Sequence, residues 1–207
     1  MKIRVWAIIG GQNSGKTTVI RHLISSYILT EDNVVQVSKK RARDYANVLL
    51  RGGGTLKLFV RVKSLQEGDD KTRYTPQEFI DLVHKEAKNI GDTKDASIRP
   101  FYFNVLVSIR SDVDVKGYPP AYSYLSKFES VGWQLESLVL LGPEGEPDSG
   151  GHYTKKFAAP LHGRFGAPVL FVHDSRRYLK DNAIADKDNR FLVQSLVGRV
   201  RNHFGWA

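Results

Sequence analysis

Ile3-Arg4-Val5-Trp6-Ala7-Ile8-Ile9 runs directly into Gly10-Gly11-Gln12-Asn13-Ser14-Gly15-Lys16-Thr17, and this stretch decides the fold. Six of these first seven residues are apolar, Arg4 being the exception, and the run is rich in β-branched side chains, as a strand buried on both faces of a parallel sheet requires. The glycines break the strand. Beyond them Val19, Ile20, Leu23, Ile24, Tyr27 and Ile28 recur at helical spacing, which predicts a helix from about Gly15 to Leu29. Strand, glycine-rich loop and helix in that order have a direct electrostatic consequence. Glycines let backbone N–H groups turn inward as an anion nest. The helix then aims its positive N-terminal end at the same point.

The eight residues Gly10 to Thr17 match GxxxxGK[ST] without a mismatch, in the strand-before, helix-after context that gives the pattern meaning. Over about its first 30 residues the chain therefore resembles the P-loop NTPase superfamily. Gly10, Gly11, Gln12, Asn13, Ser14, Gly15, Lys16 and Thr17 are expected to wrap the phosphates of a nucleoside triphosphate. Lys16 is expected to set its charge on the β- and γ-phosphates as a catalytic residue, and the Thr17 hydroxyl to bind Mg2+. The resemblance further implies that Thr18 bonds the α-phosphate. ATP is placed ahead of GTP, because no NKxD guanine-specificity motif occurs.

The rest of the chain continues the α/β alternation. Val34 to Val37 reads as a strand, residues 41–50 as a short helix ended by the triple glycine 52–54, and residues 64–74 as a polar loop. Leu56, Leu58, Val60 and Val62 alternate with Lys57, Phe59, Arg61 and Lys63, the period-two pattern of a half-exposed strand that is antiparallel or at an edge. Thr75-Pro76-Gln77-Glu78 is a helix start with a capping box, followed by the stripe Phe79, Ile80, Val83, Ala87 and Ile90. Phe101 to Ile109 reads as a central strand. A helix is expected over Pro119 to Val131, with Tyr122, Leu125, Phe128 and Val131 on one side. Strands follow at Leu135 to Leu141 and Pro168 to Val172, separated by the loop 142–151. The last helix, from near Asp188, turns Leu192, Val193, Leu196, Val197, Val200 and Phe204 inward and leaves Arg190, Arg199 and Arg201 toward solvent. The architecture this predicts is a three-layer α/β P-loop NTPase fold with a mostly parallel central sheet, one domain over residues 1–207. A small basic insertion or sheet extension is expected around residues 39–74.

The acidic partner of the loop is the open point. P-loop enzymes add an acid at the end of a neighbouring strand to hold Mg2+, and no hhhhDE signature occurs here. Asp112, after the run FNVLVSIRS, and Asp174, after VLFVH, are the two candidates for that catalytic role. Each could equally be a turn or cap aspartate. Glu144, Glu146 and Asp148 lie in a glycine-rich loop and are weaker. Arg41, Arg43, Arg164, Arg176 and Arg177 are candidates for stabilising charge on a transferring phosphoryl group.

Composition narrows the partners. The chain has 207 residues, a net charge of +9 and no cysteine, which removes disulfides, thiolate zinc sites and cysteine nucleophiles. None of its six histidines forms an HxxxH or HExxH pair. No apolar run approaches the roughly 20 residues of a membrane helix, and the apolar run before Gly10 is too short for a signal-peptide core, so no membrane span and a cytoplasmic location are expected. The charge is concentrated: residues 34–63 carry eight basic side chains and one acid, Asp44. A basic strand face that includes Phe59 is what a single-stranded nucleic-acid platform uses, and segment 39–63 is the expected contact. It could equally serve as a subunit interface or grip a phosphorylated substrate.

Three functions fit these features. The first is a Mg2+-dependent ATPase, a hydrolase that acts on nucleic acid or is regulated by it. The second is a small-molecule or nucleotide kinase. The third is a non-catalytic nucleotide-gated subunit of a homo-oligomer or larger assembly, whose switching would need segments ordered by the γ-phosphate.

Overall fold

Eight of the nine residues of the first strand, β1 (Lys2–Gly10), are at least partly screened from solvent, and Val5, Ala7, Ile8 and Ile9 are fully buried. A strand this apolar on both faces belongs inside a sheet covered on both sides, and β1 lies between two parallel neighbours. The structure, a computed structural model, describes residues 1–11, 14–24, 43–67, 72–91, 101–111, 117–142, 161, 164–172 and 187–207, with the backbone alone at 43, 44, 91 and 187–193. In chain order the elements are β1, α1 (Lys16–Ile24), β2 (Arg43–Leu49), β3 (Thr55–Arg61), α2 (Pro76–Gly91), β4 (Tyr102–Arg110), α3 (Ala121–Ser130), β5 (Gln134–Leu141), β6 (Val169–Val172) and α4 (Lys187–Phe204).

The six strands form one sheet in the order β2-β3-β4-β1-β5-β6. All neighbours are parallel except β2 and β3, which form an antiparallel hairpin. The two sheet faces bury two separate cores. Ile3, Val5, Ala7 and Ile9 of β1 pack with Phe79, Ile80 and Val83 of α2 and Leu125 and Phe128 of α3. Trp6 and Ile8, on the opposite face, pack with Val19, Ile20 and Leu23 of α1 and Leu196, Val200 and Phe204 of α4. The result is three layers, helices on both sides of a mostly parallel sheet, as the alternation of elements predicts.

Several local expectations hold. The Thr75 N–H donates to Glu78 Oε2 at 2.7 Å and the Glu78 N–H donates to Thr75 Oγ1 at 3.3 Å, so the capping box forms as read. The strands expected near 101–109, 135–141 and 168–172 are β4, β5 and β6. Gly132, with φ of 79°, follows α3 in the left-handed region where a glycine stop is needed.

Four expectations are corrected. Of the helix expected over 41–50, the described part is a strand: β2 occupies Arg43–Leu49, with Tyr45, Asn47 and Leu49 exposed and Val48 buried. The triple glycine is therefore a hairpin turn and not a helix stop. Gly53 and Gly54 take φ of 86° and 85° there, and Leu49 pairs with Thr55. The segment is too short for periodicity to separate strand from helix, and pairing with β3 decides it. Second, β3 is not half exposed. Phe59 and Arg61 are buried along with the opposite face, because α2 and the segment before it cover the side assigned to solvent. Phe59 lies between Tyr45 and Phe103, at ring-centroid distances of 5.5 and 5.9 Å. Arg61 stacks on Tyr74 and donates to the Thr72 carbonyl. Third, Val131 of the α3 stripe is exposed and Tyr124 is buried in its place, its hydroxyl donating to the Tyr74 carbonyl at 2.6 Å.

Arg201 is likewise not a solvent-side residue. Its guanidinium donates to the carbonyls of His22 and Leu23 at 3.1 and 3.4 Å, closing the last turn of α1 from α4. The strand expected at 34–37 and the end of the first helix past Ile24 fall outside the described residues. No helix among the described residues is long and apolar enough to cross a membrane.

Candidate phosphate-binding site

The end of β1 is where the chain's connections part. From β1 it leaves toward α1 on one sheet face, and from β4 toward α3 on the other. In an open parallel sheet, ligands bind in the crevice outside the strand ends at such a switch point. Gly10 stands there, in register with Arg110 of β4 and Leu141 of β5.

Gly10 is glycine because the loop folds back on it. A Cβ at this position would lie 2.3 Å from Ser14 Oγ, 3.0 Å from Ser14 Cβ and 3.1 Å from the Leu141 carbonyl oxygen. Gly15, with φ of 83°, makes the second turn, into the helix. The Val19 N–H then bonds to the Gly15 carbonyl at 2.9 Å and starts α1. No acidic side chain occupies the first turn of α1, so the helix does not neutralise its own positive end.

Lys16 folds back over this loop. Its side chain is buried, and Nζ donates to the carbonyls of Gly10 at 3.0 Å and Gly11 at 2.5 Å. Withdrawing an ammonium from water is costly unless hydrogen bonds or an opposite charge compensate. The loop carbonyls do so in part, and an anion in the nest would do so more strongly. Thr17 Oγ1 donates to the Val62 carbonyl at 3.5 Å, which brings the residue after β3 to the loop. Thr18 is half-buried on α1.

Of the expected site residues, Gly10, Gly11, Ser14, Gly15, Lys16, Thr17 and Thr18 are thus gathered at one point. Gln12, Asn13, Asp112 and Asp174 lie outside the described residues, as do Glu144, Glu146, Asp148, Arg41, Arg176 and Arg177. The described residues that precede the two aspartates end at different places in the sheet. Ser111, the residue before the Asp112 segment, donates its N–H to the Gly10 carbonyl at 3.2 Å. Asp174 follows β6, which is two strands from β1. Arg164 is exposed and lies 5.7 Å from the Tyr122 ring, on the α3 side of the sheet. Among the described residues no group of three or more His, Asp or Glu side chains gathers that could hold a metal ion.

Three residues that sequence reasoning passed over meet here. Gln66, buried just past β3, accepts the Arg110 N–H at 2.9 Å and donates to the carbonyls of Arg110 and Pro119, both at 3.1 Å. Its carboxamide thereby continues the ladder of β4 beyond the end of β3. Glu67 Oε1 lies 3.9 Å from Arg110 Nε. The available signal was positional: Arg110 is the first charged residue after the apolar run of a central parallel strand, where functional side chains concentrate.

His22 sits on the far turn of α1. Burial, and secondarily the Arg201 guanidinium, hold its pKa below the ordinary 6.5, so the imidazole resists protonation. No protein-family model matches the chain, and no curated protein matches it.

Proposed function

We propose that the chain binds a nucleoside triphosphate in the Gly10–Thr17 loop as a P-loop protein and hydrolyses it as a Mg2+-dependent ATPase. The observation that carries this reading is the buried Lys16 ammonium, held by the carbonyls of Gly10 and Gly11 at the mouth of a glycine loop that opens a helix. A β,γ-phosphate group is the ligand that loop geometry, helix N-terminus and lysine would recognise together. The Thr17 hydroxyl is a hard oxygen donor of the kind Mg2+ takes, with the phosphates supplying further oxygens. Of the two aspartates, Asp112 is favoured as the acidic partner, because its chain neighbour Ser111 bonds to Gly10.

Regulation by nucleic acid remains part of the proposal and rests on charge. Lys57 and Lys63 are exposed, whereas Phe59 is buried and offers no stacking surface for a base. Lys63 follows Val62, whose carbonyl takes the Thr17 hydroxyl, so this cation stands at the same end of the sheet as the loop. The test is phosphate release from ATP and GTP by the purified protein, with and without DNA or RNA, beside Lys16→Ala. Turnover that Lys16→Ala abolishes supports the ATPase reading, and stimulation by nucleic acid supports its second half. Turnover only with a small-molecule acceptor would make the protein a kinase. Tight binding without turnover would make it a nucleotide-gated subunit.

A further inference from the structure

We propose that Arg110 reads the terminal phosphate of the bound nucleotide, and that Glu67 is a carboxylate it stands beside when that phosphate is absent. This inference rests on the reading of Gly10–Thr17 as a triphosphate site and adds what makes the site distinguish triphosphate from diphosphate.

The geometry points to Arg110 in three steps. Gly10 and Arg110 are in-register partners on adjacent parallel strands, about 4.8 Å apart in the hydrogen-bonding direction. Residues paired in this way project to the same face of the sheet. A Cβ built on Gly10 aims at Ser14 of the loop, so the Arg110 side chain leaves β4 on the loop's side. The neighbouring residues agree: Leu106, at the same parity on β4, packs with Val19, Ile20 and Leu23 of α1.

Arg110 is also held in place. Gln66 fixes its N–H and its carbonyl together, at 2.9 and 3.1 Å. Ser111 ties the next peptide to the Gly10 carbonyl at 3.2 Å. The backbone beneath the guanidinium is thus locked to both β3 and the loop, which makes Gln66 a positioning residue. The guanidinium itself is largely screened from water, with a side-chain exposure of 11%.

Glu67 supplies the switch. Its carboxylate is 3.9 Å from Arg110 Nε and is itself partly exposed, at 32%. A long, partly solvated contact of this kind is weak. A phosphate oxygen presented to a guanidinium fork forms shorter and stronger charge-assisted bonds. A γ-phosphate in the nest would therefore draw Arg110 from Glu67, and a diphosphate, ending one group short, would leave the pair in place.

The test is equilibrium binding, in Mg2+, of the pairs ATP/ADP and GTP/GDP to wild type, Arg110→Ala, Arg110→Lys, Glu67→Gln and Lys16→Ala. Arg110→Ala should lower triphosphate affinity about 10- to 100-fold, the worth of one or two hydrogen bonds to a charged group, and diphosphate affinity by less than about threefold. Arg110→Lys keeps the charge and loses the fork, so it should fall between wild type and Arg110→Ala. It also provides the reading if Arg110→Ala does not fold. Glu67→Gln removes one competing charge and should raise triphosphate affinity by up to about fivefold. Equal losses for both nucleotides, or no loss, in the Arg110 variants would overturn the inference. If Lys16→Ala abolishes binding while the Arg110 variants keep the wild-type preference, the phosphate site stands and Arg110 alone falls. If wild type binds none of the four nucleotides, both readings are refuted.

Discussion

Gly10→Ala should damage this protein more than the loss of a single glycine's flexibility explains, because the cause is space. The added methyl would sit 2.3 Å from Ser14 Oγ, 3.0 Å from Ser14 Cβ and 3.1 Å from the Leu141 carbonyl oxygen. Ser14 is buried, so its hydroxyl cannot simply swing into solvent, and the Leu141 carbonyl belongs to the neighbouring strand β5. Overpacking of this kind costs about 1–3 kcal/mol. For a chain of this size that is a drop in Tm of about 2–12 °C. Urea denaturation of wild type, Gly10→Ala, Ser14→Gly and the double variant measures it. Removing the Ser14 side chain relieves the contacts with Oγ and Cβ and leaves the one with Leu141. The double variant should therefore recover part of the loss, with a coupling energy of about 0.5 kcal/mol or more. Gly10→Ala as stable as wild type, or two substitutions that simply add, would show that Ser14 does not close over Gly10 as described.

Other consequences follow from the same contacts. His22 takes a proton less readily in the folded chain than in the unfolded chain, because burial and Arg201 lower its pKa. Its stabilising contribution is therefore present above about pH 6.5 and is lost as pH falls through the lower folded value. Chemical denaturation between pH 7.5 and 5 should show wild type losing stability relative to His22→Gln, and parallel curves would refute the assignment. Trp206 is buried against Trp6 and Phe204, at centroid distances of 5.8 and 4.8 Å, and the Ala207 N–H bonds to the Leu49 carbonyl at 2.9 Å. Trp206→Ala should cost about 3–5 kcal/mol in urea denaturation, and a loss under about 1 kcal/mol would mean that this end of the chain does not secure the β2–β3 hairpin.

What was legible in the sequence was local. Ile3 to Thr17 announced a buried strand, a glycine loop and a helix start, because each signal lies within one turn or strand of the next. The capping box at Thr75 and Glu78 was readable for the same reason. Errors arose where partners distant in sequence decide the outcome. Phe59 and Arg61 looked solvent-facing because alternation reveals two faces without showing that α2 will cover the second one. Residues 43–49 became a strand because β3 pairs with them, which no pattern inside the segment dictates. The neighbourhood of the loop was the least legible part. Gln66 meets Arg110 across 44 positions, and Arg110 meets Gly10 only through the strand order that sets β4 beside β1. The loop pattern calls for an acidic strand end, for which the sequence offers Asp112 and Asp174, and nothing in that pattern points to a glutamine and an arginine.

The central claim is that Gly10–Thr17 is a nucleotide phosphate site, and titration calorimetry with ATP and GTP in Mg2+ tests it most directly. Wild type should bind at least one of them with a single site per chain, and Lys16→Ala, which removes the ammonium now held by the Gly10 and Gly11 carbonyls, should weaken that binding at least about tenfold. A wild-type protein that binds neither nucleotide, or a Lys16→Ala variant that binds as tightly as wild type, would contradict the account.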